Sequence, residues 1–111
     1  MGSYLVFNKK ENNTKSISYP MATIIRDVLP NTEKEYGWTL KKKQVAKLVS
    51  FTLELLDDEE ILQVYINEHK ENYEFNCEDF RETLKKIHKD FVETLVEMVF
   101  QKQKYISVEW E

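Results

Sequence analysis

The feature that most restricts this chain is an apolar stripe near its C-terminal end. Phe80, Leu84, Ile87, Phe91, Leu95 and Met98 recur every three or four residues. That spacing places them on one face of a helix. Asn76 supplies an N-cap, and Glu78 and Asp79 sit in the first turn, where the helix dipole favours negative charge. Phe75 and Phe80 match a hydrophobic staple around that cap. The helix is expected to continue to Gln103 and to form the centre of the fold, with Leu84, Ile87, Phe91 and Leu95 nearly fully buried. Between Phe91 and Phe100 a second apolar face carries Val92, Val96 and Val99. A helix apolar on most sides is either central or in contact with a partner.

Punctuation is sparse. Two glycines and two prolines in 111 residues are too few for a turn-rich all-β fold, so helices are favoured. Tyr4-Leu5-Val6-Phe7 reads as a strand, and Ser16-Ile17-Ser18-Tyr19 as its return, with a polar loop over Asn8 to Ser16 between them. Pro20 opens a helix carrying Met21, Ile24, Ile25 and Val28, and Pro30 ends it near Val28 or Leu29. Residues 30–38 read as a connection. Thr39 is expected to cap a second helix with the stripe Val45, Leu48, Val49, Thr52, Leu53 and Leu56. Asp57 or Asp58 caps a third, carrying Ile61, Leu62, Tyr65 and Ile66, and Asp57 with Glu60 resembles a capping box. Tyr105-Ile106-Ser107-Val108-Glu109-Trp110 alternates like a strand and is expected to pair with the N-terminal one. The expected fold is α+β and mostly helical, a single domain over residues 1–111. It has four helices and a small antiparallel sheet formed by the N- and C-terminal strands.

Charge is distributed unevenly. Residues 1–53 carry a net +5, residues 54–82 a net −9, and residues 83–111 balance, for −4 overall. The acidic stretch has two readings. Acids gather where helices begin, because the dipole favours them there. Alternatively they present a face to a basic partner, steering its approach. The basic run Lys41-Lys42-Lys43 with Lys47 raises nucleic-acid binding. A helix-turn-helix over residues 42–60 would, however, start its recognition helix with Asp57-Asp58-Glu59-Glu60, four carboxylates against phosphates. Nucleic acid is therefore disfavoured as a partner.

Catalytic motifs are missing from the sequence. Gly2 and Gly37 are far apart, so no glycine-rich phosphate loop can be read. There is no HExxH and no CxxC, and His69 and His88 lie on different expected elements. His88 is expected to be a partly exposed surface residue. Cys77, the single cysteine, cannot make an internal disulfide, and Glu78 and Asp79 oppose its ionisation. No cofactor, metal or catalytic residue is assigned, and an enzyme is not expected. No run approaches the roughly 18 apolar residues of a membrane span, and no signal peptide is read, so a cytoplasmic protein without membrane contact is expected.

Aromatic residues in expected loops, Tyr36, Trp38 and Tyr73, are candidate contact residues, since Trp and Tyr dominate binding hot spots. Together these features predict a small protein-binding or inhibitory protein, in the manner of an immunity protein or a phage-type inhibitor. Its partner is another protein, basic in character. The expected contact residues are Asp58, Glu59, Glu71, Tyr73 and Glu74, with Tyr73 as the anchor and Tyr65 a weaker candidate because helical spacing buries it. The alternative is a structural or regulatory homo-oligomer through the second apolar face of the last helix. A monomer is preferred, because three other helices and a sheet are available to cover that face.

Overall fold

Residues 105–110 alternate between two environments. Ile106 and Val108 are buried, while Tyr105 is exposed and Ser107 and Glu109 are half-covered. This is the period-two pattern of a strand with one face on a core and one in water. The computed structural model describes residues 5–7, 16–17, 19–69 and 80–110. Its elements, in chain order, are β1 (Leu5–Phe7), β2 (Ser16–Ile17), α1 (Tyr19–Val28), β3 (Gly37–Lys41), α2 (Lys42–Asp57), α3 (Glu59–Glu68), α4 (Phe80–Phe100) and β4 (Tyr105–Trp110). Among the described residues the fold is α+β, with four helices on one antiparallel sheet of order β2-β1-β4-β3.

The two end strands pair as expected, with Leu5 opposite Trp110 and Phe7 opposite Val108. The sheet is larger than the sequence suggested. β3 pairs along the other side of β4, with Trp38 opposite Val108 and Leu40 opposite Ile106. Residues 37–38 are therefore strand rather than connection. Thr39 lies inside β3 and does not cap α2. Lys41 holds that position, and its backbone N–H donates to Gln44 Oε1 at 2.8 Å.

Gly37 makes the β3–β4 approach possible. Its φ is 134°, and a Cβ there would collide with the Val108 carbonyl oxygen. That backbone region is essentially confined to glycine. Gly37→Ala is expected to destabilise the protein by about 2 kcal/mol or more. Urea unfolding checks this, and an unchanged midpoint would contradict the pairing.

The helices bury one continuous cluster against the inner face of the sheet. It includes Met21, Ile24, Ile25, Trp38, Leu40, Val45, Leu48, Leu55, Phe80, Leu84, Ile87, Phe91, Met98, Ile106 and Val108. The buried stripe of α4 is Phe80, Leu84, Ile87, Phe91, Thr94 and Met98. Thr94 takes the place expected for Leu95, which is only partly buried. Thr94 Oγ1 donates to its own helix at Asp90 O, 2.7 Å away, so its hydroxyl is satisfied without water. In α2 the buried set is Val45, Leu48, Thr52 and Leu55. Leu53, expected inside, is exposed, and Leu55 takes its place.

α4 stops at Phe100, short of Gln103. Lys102 has φ 55°, the Lys102 N–H donates to Val99 O, and the Gln103 N–H donates to Met98 O. This is a Schellman ending with lysine in the left-handed position usually given to glycine. Pro30 ends α1 at Val28 as expected. The expected cap Asn76, the staple residue Phe75, the acids Glu78 and Asp79, and Cys77 lie outside the described residues.

Candidate partner-binding surface

α2 and α4 run antiparallel. Thr52 Oγ1 lies 2.7 Å from His88 Nδ1, and Arg81 reaches back to the end of α2. Arg81 donates to Leu56 O at 3.2 Å and to Glu59 Oε1 at 2.7 Å. The same guanidinium thus satisfies a carbonyl near the end of α2 and an acid in the first turn of α3. His88 is half-buried and bridges the two helices, so it is a packing residue rather than a free surface group.

The turn between α2 and α3 is where two of the expected contact residues sit. Asp58 is the N-cap of α3, and its Oδ1 accepts from the backbone N–H groups of Glu60 at 3.0 Å and Ile61 at 3.2 Å. Asp57 does not cap, which corrects the Asp57–Glu60 capping box. Glu59 is exposed and paired with Arg81. Both residues therefore have structural work, in line with the helix-start reading of the acidic stretch. Glu71, Tyr73 and Glu74 lie outside the described residues.

Three other acids on this corner are differently placed. Glu54, Asp57 and Glu60 are exposed, and none forms an ion pair among the described residues. Ser50, Leu53, Glu54, Asp57, Asp58 and Ile61 line a shallow groove between the two helices. Its apolar residues are open to solvent: Leu53 is 45% exposed and Ile61 38%, and Val64, one turn further along α3, is 57% exposed. Sequence reasoning assigned Leu53 and Ile61 to the core. The chain leaves the helical conformation at Asp58 (φ −129°, ψ 106°), so α2 and α3 are separate helices and no single stripe runs through both.

The loop aromatics divide. Trp38 is completely buried in β3, which removes it as a contact residue. Tyr36 is exposed, with its hydroxyl 2.7 Å from Thr39 Oγ1. Tyr65 is buried, as helical spacing required. Its hydroxyl donates to Asp27 Oδ2 at 2.6 Å, and His69 Nε2 lies 2.9 Å from the same oxygen. Burial first, then the Asp27 carboxylate, hold the Tyr65 phenol well above its ordinary pKa. The cluster ties α3 to α1.

A second polar cluster closes the edge of the sheet. Arg26 donates to both carboxylate oxygens of Glu33, at 2.7 and 3.0 Å, and its guanidinium lies 6.0 and 5.8 Å from the rings of Trp38 and Trp110. Trp110 Nε1 donates to Glu33 at 3.2 Å. The Arg26 hydrogen bonds hold the Glu33 carboxyl below its ordinary value, with Trp110 assisting and partial burial opposing. A carboxyl lowered in the folded state adds stability above its unfolded pKa of about 4.3, and that stability is lost as pH falls through the folded value. The stability gap between the wild type and Glu33→Gln is thus expected to be largest near neutral pH and to close in acid. Chemical unfolding at a series of pH values checks this. A gap that grows in acid would contradict the pairing.

Among the described residues, no group of three or more His, Cys, Asp or Glu side chains could hold a metal ion, and no helix is long and apolar enough to cross a membrane. Comparison with protein-family models, curated proteins and solved structures gives no match.

Proposed function

We propose that this chain is a protein-binding module that acts by occlusion rather than by catalysis, with the α2–α3 corner as its contact surface. The observation that carries this reading is the exposed strip Leu53, Ile61 and Val64 beside Glu54, Asp57 and Glu60, carboxylates that form no ion pair among the described residues. An apolar centre with a charged rim is the ordinary anatomy of a protein contact. The matching partner carries an apolar patch ringed by lysine or arginine, and the rim acids steer its approach. Asp58 and Glu59 lie at the edge of this surface; Glu71, Tyr73 and Glu74 are proposed as contact residues on the sequence alone.

The test compares two baits in extract from the native cell, the wild type and Leu53→Gln/Ile61→Gln/Val64→Gln. A basic protein retained by the wild type, released by salt and reduced at least tenfold on the variant supports the reading. Identical sets on both baits overturn it.

A second reading, self-association, is favoured by α4. Val92 is half-buried, but Val96 and Val99 are exposed and Phe100 is 82% exposed, so the second apolar face is covered only in part. A dimer through this face would give about 27 kDa by light scattering, twice the 13.4 kDa of the chain. Val96→Lys/Val99→Lys would return it to the monomer mass.

A further inference from the structure

The two ends of α2 carry opposite charge. Its C-terminal end meets the acidic corner. Around its start, the β3–β4 pairing brings Lys104 and Tyr105 beside Lys41, Lys42 and Lys43 to line one recess. Lys41 and Tyr105 are direct cross-strand partners on the outer face of the sheet. A second, open recess shares Lys43 and continues past Lys47, over Val28, Ala46 and Phe51, to Ser50 and the acid Glu54 at its far end. All five lysines are exposed, and none forms an ion pair among the described residues. The first turn of α2 contains no acid, so the helix dipole adds to the positive field. Tyr105 is 54% exposed within this cluster.

We propose that this basic end binds single-stranded nucleic acid, with the lysines on phosphates and a base stacked on Tyr105. Five exposed cations without an ion-pair partner among the described residues, four of them around one recess, match the spaced charges of a phosphate backbone. An exposed ring among them offers a stacking platform that only an unpaired base can use. The objection from Asp57 to Glu60 applies to α3 as a recognition helix. It does not reach this end, because the 16 residues of α2 span about 24 Å and charges are screened over about 8–10 Å. The two surfaces meet at Ser50 and Glu54, which line both the second recess and the acidic groove. Lys42, Lys43, Lys104 and Tyr105 lie outside that groove, so variants there and variants at Leu53, Ile61 and Val64 test the two readings separately.

The experiment measures fluorescence anisotropy of a labelled oligothymidylate of about 12 nucleotides, within the usual site size. Binding is expected at low salt, with a log–log salt slope of about −3, from four or five phosphate contacts. Lys42→Gln/Lys43→Gln/Lys104→Gln should weaken binding about a hundredfold at low salt and flatten the slope by about 2. Tyr105→Ala should weaken it about fivefold or more, while Tyr105→Phe retains it. Circular dichroism melts establish that each variant is folded, and Tyr105→Phe keeps the stacking test informative if the alanine variant is not. No binding at low salt overturns the proposal, as does binding that the triple lysine variant leaves unchanged. Equal affinity for polyglutamate with no effect at Tyr105 would mean bare charge attraction and overturn it. Stronger binding to vesicles containing phosphatidylserine than to the oligonucleotide would assign the surface to a membrane instead.

Discussion

Deleting residues 105–111 is expected to abolish the fold. β4 pairs with β1 on one side and β3 on the other, so its loss breaks every connection between the two halves of the sheet. It also removes Ile106 and Val108 from the core and Trp110 from the Arg26–Glu33 cluster. β1 and β3 are left with open edges, a template for aggregation. The truncated chain should be insoluble, or soluble without a cooperative thermal transition. A soluble truncation that melts like the full chain would contradict the topology.

Phe91→Ala is expected to cost about 3–5 kcal/mol. Phe91 is completely buried in the middle of α4, between Ile87 and Thr94 on the packed stripe. The close-packed core cluster around it cannot fully relax into the space left behind. Total stability of a small domain is about 5–15 kcal/mol, so the variant should lose a large fraction of it. Urea unfolding reads this directly. Leu95→Ala provides the contrast, because Leu95 is only partly buried, and its loss should be clearly smaller.

Those two residues also mark how far the sequence could be read. Periodicity identified α4 and most of its buried face, because a stripe of large apolar residues has one physical use. It failed at 94 and 95, where both positions lie one turn beyond Phe91 and hydrophobicity favours leucine. Thr94 is inside because its hydroxyl bonds Asp90 O and needs no water. β3 was illegible for a different reason. It has five residues, begins at a glycine and ends in a lysine run, so it reads as a turn leading into a helix. Its inward Trp38 and Leu40 alternate with Thr39 and Lys41, but two periods do not distinguish a strand from a connection. The candidate surfaces were half legible. The excess of acids was visible, whereas the use of Asp58 as a cap and Glu59 as the partner of Arg81 depends on contacts between helices. Lys104 and Tyr105 reach Lys41 only through the pairing of β4 with β3.

The sheet order also fixes a sequence of events during synthesis. β1 and β3 leave the ribosome long before the strand that joins them, and Leu5 must wait for Trp110. Until then the helices α1 to α3 can form locally, but the inner residues Trp38 and Leu40 have no strand to lie beside. Completion of the sheet therefore waits for β4, a late ring closure between distant parts of the chain. Over that interval the nascent protein depends on the polar outer residues of β3, Thr39 and Lys41, to keep its unpaired edge soluble.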